Sequence, residues 1–161
     1  MDEKIKLTGD ELSLMSLFES LTDVFPISCK IYENNVFFII DKKDMPRLLA
    51  NGLKLLDNLR GHIPDKRAIL NALVNELSKS MGKYIHLAFL DDDLETFLRN
   101  FFMLGDDDIV RIKVNKDGSK YVIINVNPAR RGRVIGKRGI KAKVARELAR
   151  MFYNVRGILI K

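Results

Sequence analysis

The sequence predicts an α+β protein in which one helix–strand–strand–helix–helix–strand unit is used twice, each copy a small three-stranded sheet covered by helices. Three observations predict it. A stretch near the start and another beyond position 90 share one helical pattern, each is followed by a strand pair, and a later helical segment and a final strand recur in the same order. The expected units are residues 1–90 and 91–161. Two copies of about 80 residues can each bury a modest core. Leu90-Asp91-Asp92-Asp93 runs straight into the second copy's first helix, so little linker separates them.

In the first copy, Thr8-Gly9-Asp10-Glu11 reads as a capping box, the threonine oxygen meeting an orphan amide while Glu11 reaches back. Behind it Leu14, Leu17, Phe18 and Leu21 fall on one helix face, the expected core stripe. Ile27–Tyr32 and Val36–Asp41 then flank Glu33-Asn34-Asn35, a tight turn between two strands. More helix follows, and Tyr84–Phe89 closes the unit as a strand. In the second copy Asp92 or Asp93 can cap a helix whose apolar face is Leu94, Phe97, Leu98 and Phe101. Strands Ile109–Val114 and Tyr121–Val126 flank a loop containing Asp117-Gly118, a strong hairpin signal, and Val155–Ile160 is the final strand. At a constant offset Pro46-Arg47-Leu48-Leu49 lies opposite Gly132-Arg133-Val134-Ile135.

Composition narrows the function. The chain has 161 residues, 47% hydrophobic, with 28 Lys or Arg against 21 Asp or Glu and a net charge of +7. That apolar content excludes a wholly disordered basic tail. The longest apolar run, Val36–Ile40, falls far short of the roughly 18 residues of a membrane helix, and no membrane partner is expected. The N-terminus has neither the basic start nor the apolar core of a signal peptide, so the expected location is the cytoplasm. A single cysteine, Cys29, excludes an internal disulfide and a cysteine zinc cluster. Charge is unevenly placed: residues 1–105 sum to −3 and residues 106–161 to +10. The positive excess favours an anionic partner met by the last third.

The informative segment runs from Arg130 to Lys141. Here a Gly-x-x-Gly turn, Gly136-Lys137-Arg138-Gly139, sits between two apolar-periodic helices with Arg131, Arg133 and Lys141 around it. Glycines open backbone angles closed to other residues and carry no Cβ to hold a ligand away. The following helix, starting near Gly139–Ile140, presents unpaired N–H groups and a positive dipole end, a site for phosphate. Along that helix Ile140, Val144, Leu148 and Met151 or Phe152 form the expected buried stripe, and Lys143, Arg146 and Arg150 another face. From Ala129 to Arg150 there are nine Lys or Arg and one acid, Glu147. A basic helix face or a lone Gly-x-x-Gly is common by chance; their combination in an αββααβ unit is specific.

This pattern resembles a KH domain of the type II arrangement, carried by Val134-Ile135-Gly136-Lys137-Arg138-Gly139 and by the element order. KH loops clamp the backbone of about four unpaired nucleotides beside an apolar groove. The resemblance implies that Gly136 and Gly139 are the clamp, that Lys137 and Arg138 meet phosphate, and that Arg131 and Arg133 flank it. Lys141, Lys143 and Arg146 extend the basic surface, and Val134, Ile135 and Ile140 are candidates for either the groove floor or the core. Two tandem type II KH-like units without other domains resemble the archaeal NusA-like transcription factors, which implies a transcription elongation or termination role with single-stranded RNA as partner and leaves contact with RNA polymerase open. The first copy departs from the pattern. Its aligned stretch reads Ala50-Asn51-Gly52-Leu53, without the outer glycines or internal bases, and Gly61-His62-Ile63-Pro64 is an alternative position with no second glycine. About 14 additional residues follow Leu53, with added helix the expected content. The first unit is thus expected to keep the fold while weakening or losing the RNA loop.

Other readings fit less well. Gly132 to Lys137 reads G-x-x-x-G-K, one residue short of a P-loop, and Arg138 stands where Ser or Thr is needed. An enzyme needs an acid–base or metal constellation, but His62 and His86 lie apart, and Asp91–Asp93 and Asp106–Asp108 read as caps and solvated surface. Cys29 sits in a strand as a packed residue. A ribosome-associated or RNA-processing KH factor, or a basic scaffold for an acidic protein, would use the same charges. No enzyme activity, cofactor or metal is called for, and the oligomeric state is left open.

Overall fold

The computed structural model describes residues 8–56 and 64–161. The chain divides into two compact units, one ending at Leu90 and the other opening at Asp91. The first holds α1 (Gly9–Thr22), β1 (Ser28–Tyr32), β2 (Asn35–Asp41), α2 (Met45–Leu53), α3 (Lys66–Met81) and β3 (Tyr84–Leu90). The second repeats the order with α4 (Leu94–Phe102), β4 (Ile109–Val114), β5 (Lys120–Asn125), α5 (Pro128–Ile135), α6 (Ile140–Tyr153) and β6 (Val155–Ile160). Each unit has one three-stranded mixed sheet whose second strand is central, antiparallel to the first and parallel to the third. This is the αββααβ arrangement of two tandem type II KH-like units.

Local chemistry explains most boundaries. Thr8 Oγ1 accepts the Glu11 N–H at 3.1 Å and the Thr8 N–H donates to Glu11 Oε1 at 3.3 Å, a complete capping box on α1. Asp65 and Asp93 cap α3 and α4 in the same sense, Asp93 Oδ2 accepting the Thr96 N–H at 3.0 Å and its hydroxyl at 2.7 Å. Pro46 and Pro128 stand in the first turns of α2 and α5, where a missing N–H costs nothing. At the β4–β5 hairpin Gly118 takes φ +86° and Asp117 Oδ1 accepts the Ser119 N–H at 3.0 Å.

The core of the first unit gathers Met15, Phe18, Phe38, Ile40, Leu48, Leu73 and Leu77, with Phe18 and Phe38 rings 4.4 Å apart. The expected stripe on α1 is rotated. Leu17 and Leu21 are exposed, Leu14 is half-buried, and Met15, Phe18 and Thr22 face inward. Thr22 can be buried because its hydroxyl donates to the Phe18 carbonyl at 2.8 Å and accepts the Val24 N–H at 3.2 Å. On α4 the apolar face ends on Phe102 rather than Phe101, which is half-buried and edge-on to Phe102. On α6 the buried face is Ala142, Val144, Ala145, Leu148 and Ala149, the alanines allowing close packing, while Ile140, Met151 and Phe152 are half-buried.

The residues aligned with the second unit's loop form no loop in the first. Ala50 to Leu53 are the last turn of α2, and Gly52 is buried there. A Cβ on Gly52 would stand 2.7 Å from Ile69 Cγ2, so this glycine serves the close crossing of α2 and α3. Among the described residues each unit has three α-helices. The segment 57–63, which includes His62 and all of the alternative loop position but Pro64, lies outside the described residues. Residues 91–161 hold 16 Lys or Arg against nine Asp or Glu, so the second unit alone carries the whole +7.

Candidate nucleic-acid interface

The second unit builds its basic turn from α5 outward. Asn127 caps α5, its Oδ1 accepting the Ala129 N–H at 2.9 Å. One turn on, Arg130 Nη2 donates to Asp108 Oδ1 at 2.8 Å, and the Gly105 N–H donates to Asp108 Oδ2, also at 2.8 Å. Asp108 is only 2% exposed. Burial alone would raise its carboxyl, but the Gly105 N–H, the Arg130 guanidinium and the Asn127 N–H together hold it below the usual carboxylate range. Arg99 donates to the Gly105 and Asp108 carbonyls, so the loop after α4 and the start of α5 form one bonded assembly. Arg130 is thereby a strut of the fold.

Helix α5 ends where Gly136 takes φ +86° and ψ 163°, a region open essentially to glycine alone. Its N–H donates to the Gly132 carbonyl at 3.0 Å, and the Gly139 N–H donates to the Gly136 carbonyl at 3.0 Å. The segment Lys137–Gly139 is thus a tight turn that is not helical inside, with Arg138 (φ 58°) and Gly139 (φ 71°) both left-handed. Glycine at 139 leaves the start of α6 without a side-chain cap. A Cβ on Gly136 would meet the Lys141 backbone nitrogen at 2.9 Å, whereas one on Gly139 would meet nothing within 4 Å. The two glycines are therefore required for different reasons, close approach at one and handedness at the other.

The twelve residues singled out from the sequence fall into four groups. Arg133, Lys137, Arg138 and Lys143 are exposed around the turn, with Gly136 and Gly139 at its corners. Val134 is buried, while Ile135 and Ile140 are half-buried on either side of the turn. Lys141 is half-buried, its Cβ and Cγ against Gly136; burial, and then the Arg133 charge, lower its pKa. Arg131 and Arg146 reach the last strand. Arg131 Nη2 donates to the Ile160 carbonyl at 3.3 Å and Arg146 Nε to the Ile158 carbonyl at 3.2 Å. Among the described residues strand β6 pairs with β5 alone, so these carbonyls, two residues apart, belong to its outer edge. The sequence pattern gave no sign of either this edge contact or the Arg130–Asp108 pair, since each joins residues more than ten positions apart.

Other reactive groups have structural roles. Cys29 is buried, and its thiol is pushed up to about 12 chiefly by burial. His86 stacks on Phe37 with ring centres 4.3 Å apart and lies 3.0 Å from Asn35 Oδ1 through Nε2. Among the described residues no three His, Cys, Asp or Glu converge as a metal site, and no helix is long and apolar enough to cross a membrane.

Duplicated αββααβ topology with an exposed basic Gly-x-x-Gly turn in the second copy defines a tandem type II KH-like protein. No protein-family model matches the chain. It is 22% identical over 160 residues to the probable transcription termination protein NusA of Thermoplasma acidophilum, covering 98% of this chain and 96% of that one. The protein so named from Methanococcus vannielii is 23% identical over 158 residues, covering 98% and 80%. That from Methanocaldococcus jannaschii is 25% identical over 137 residues, covering 84% of this chain and 64% of the relative. The crystal structure of APE1850 aligns with a TM-score of 0.59 at 25% identity, over 96% of this chain and 100% of that one. The chain is thus similar, over most of its length, to archaeal proteins named as probable transcription termination protein NusA.

Proposed function

We propose that the chain is a single-stranded RNA-binding factor of transcription elongation or termination, not an enzyme, acting in the cytoplasm on the nascent transcript beside RNA polymerase. The observation that carries the reading is the Gly136–Gly139 turn: two corners without side chains, two exposed cations between them and an uncapped helix start behind. Such a turn lets a phosphodiester backbone approach closely, while the dipole of α6 and Lys137 and Arg138 supply positive potential. Arg133, Lys141 and Lys143 widen that field, and Ile135 and Ile140 offer apolar contact to bases next to it. The curated relatives, named as termination proteins, support the transcriptional context. Where the turn should be, the first unit has the end of α2, which favours packing or a protein partner as its role.

The test is affinity for single-stranded RNA, with a duplex of the same sequence as control, for the native chain and for Lys137→Asp/Arg138→Asp. The native chain binds the single strand preferentially, and the charge reversal weakens binding by about tenfold or more. Unchanged affinity in a folded double variant removes the loop from the mechanism. Copurification with RNA polymerase rather than with ribosomal subunits distinguishes the transcriptional reading from a ribosome-associated one.

A further inference from the structure

We propose that the outer face of the second sheet is a second contact surface for single-stranded RNA, with Tyr121 as its base-stacking platform. This rests on the reading of the chain as an RNA binder but uses no residue of the Gly-x-x-Gly turn. Val122 and Ile124 of β5 are fully buried beneath the helices, so Tyr121 and Ile123 alternate onto the opposite face. There Tyr121 is 49% exposed.

Its ring position is held by the neighbouring strand. Tyr121 is registered opposite Gly157 of β6, and a Cβ at 157 would stand 2.7 Å from Tyr121 Cζ and 2.9 Å from its Oη. The tyrosine therefore lies down across β6 over a residue with no side chain. One face of the ring is supported and the other is open. Leu159, 47% exposed, continues the apolar surface beside Ile123.

Charge complementarity identifies the occupant. On the other side of β5, Lys113 is registered opposite Tyr121 and Arg111 opposite Ile123, both exposed. Tyr121 and Ile123 thus each have a cation across the β4–β5 pair, and none of the facing positions on the three strands holds a carboxylate. Arg111 and Lys113 stand about 7 Å apart along β4. Aromatic platforms beside a line of cations bind single strands by stacking bases and neutralising phosphates with little sequence preference.

The experiment compares a short oligouridylate of about four nucleotides, enough for the turn alone, with one several times longer, on the full chain. Tyr121→Ala weakens binding of the long RNA by about fivefold or more and leaves the short one unchanged. Gly157→Val, which displaces the ring without touching a charge, gives the same selective loss, and Tyr121→Phe restores binding. If Tyr121→Ala binds the long RNA as tightly as the native chain, the sheet face is overturned, whether or not it docks a protein. Lys137→Asp/Arg138→Asp separates the two sites. A loss on both RNAs in that variant leaves the turn standing, and native binding in it removes the turn while the long RNA still decides Tyr121.

Discussion

Lys141 occupies the space that any side chain on Gly136 would need, its Cβ and Cγ lying 3.0 Å from where a Cβ at 136 would fall. The turn and the first residues of α6 are therefore packed against each other through the absence of one methyl group. Gly136→Ala combines this collision with a backbone conformation hostile to alanine. It is expected to cost about 2–4 kcal/mol by denaturant unfolding and to distort the turn. Gly139→Asn, in open space at φ 71°, is expected to cost no more than about 1 kcal/mol. Equal losses for the two would contradict the distinct roles assigned to them.

The same contact gives Lys141 an unusual titration. Its pKa is lowered because burial and the Arg133 charge disfavour the ammonium. As pH rises, Lys141 loses its charge before an ordinary lysine does, and a bound phosphate would pull the proton back. RNA affinity is expected to fall on the alkaline side earlier for the native chain than for Lys141→Arg, which stays charged. Coincident pH profiles would show that Lys141 lies outside the anion's reach.

Asp108 contributes to the acid sensitivity of the second unit. Its carboxyl is held low in the fold, so its stabilisation is complete above the unfolded aspartate's pKa. It is lost as pH falls through the lowered folded value. Asp108→Asn is expected to cost about 2 kcal/mol at neutral pH, because Arg130 and the Gly105 N–H lose a charged acceptor. Melting curves between pH 2 and 7 check this: the variant should show a shallower acid decline than the native chain.

Cys29 reports on the first unit. Burial pushes its thiol to about 12, so almost no thiolate is available in the fold at neutral pH. A thiol reagent should label it slowly at first and quickly once denaturant opens the unit. Fast labelling of the native chain would mean that the β1–β2 face opens without global unfolding.

The features readable from sequence are those whose causes are local. Thr8 and Glu11 are three residues apart, Asp117 and Gly118 are adjacent, and the turn's two glycines have only Lys137 and Arg138 between them, so one-dimensional spacing carries their geometry. The facing of α1 is not legible in sequence because a buried threonine satisfied by its own helix looks polar, while Leu17 and Leu21 look like core. Gly52 looks like the relic of a loop until Ile69 is seen against it. In sequence Arg131 reads as flanking the turn and Arg146 as part of the basic helix face, but both reach carbonyls on β6, a contact that exists only once the strand has returned to the sheet.

Neutralisation of phosphates by Lys137 and Arg138 is read most directly in the salt dependence of RNA binding. The logarithm of the binding constant for a single strand falls with the logarithm of salt concentration at about 0.7 per phosphate contact. Lys137→Gln/Arg138→Gln, which removes two cations and adds no repulsion, is predicted to make that slope shallower by about 1.4. A folded double variant with the native slope would contradict the account.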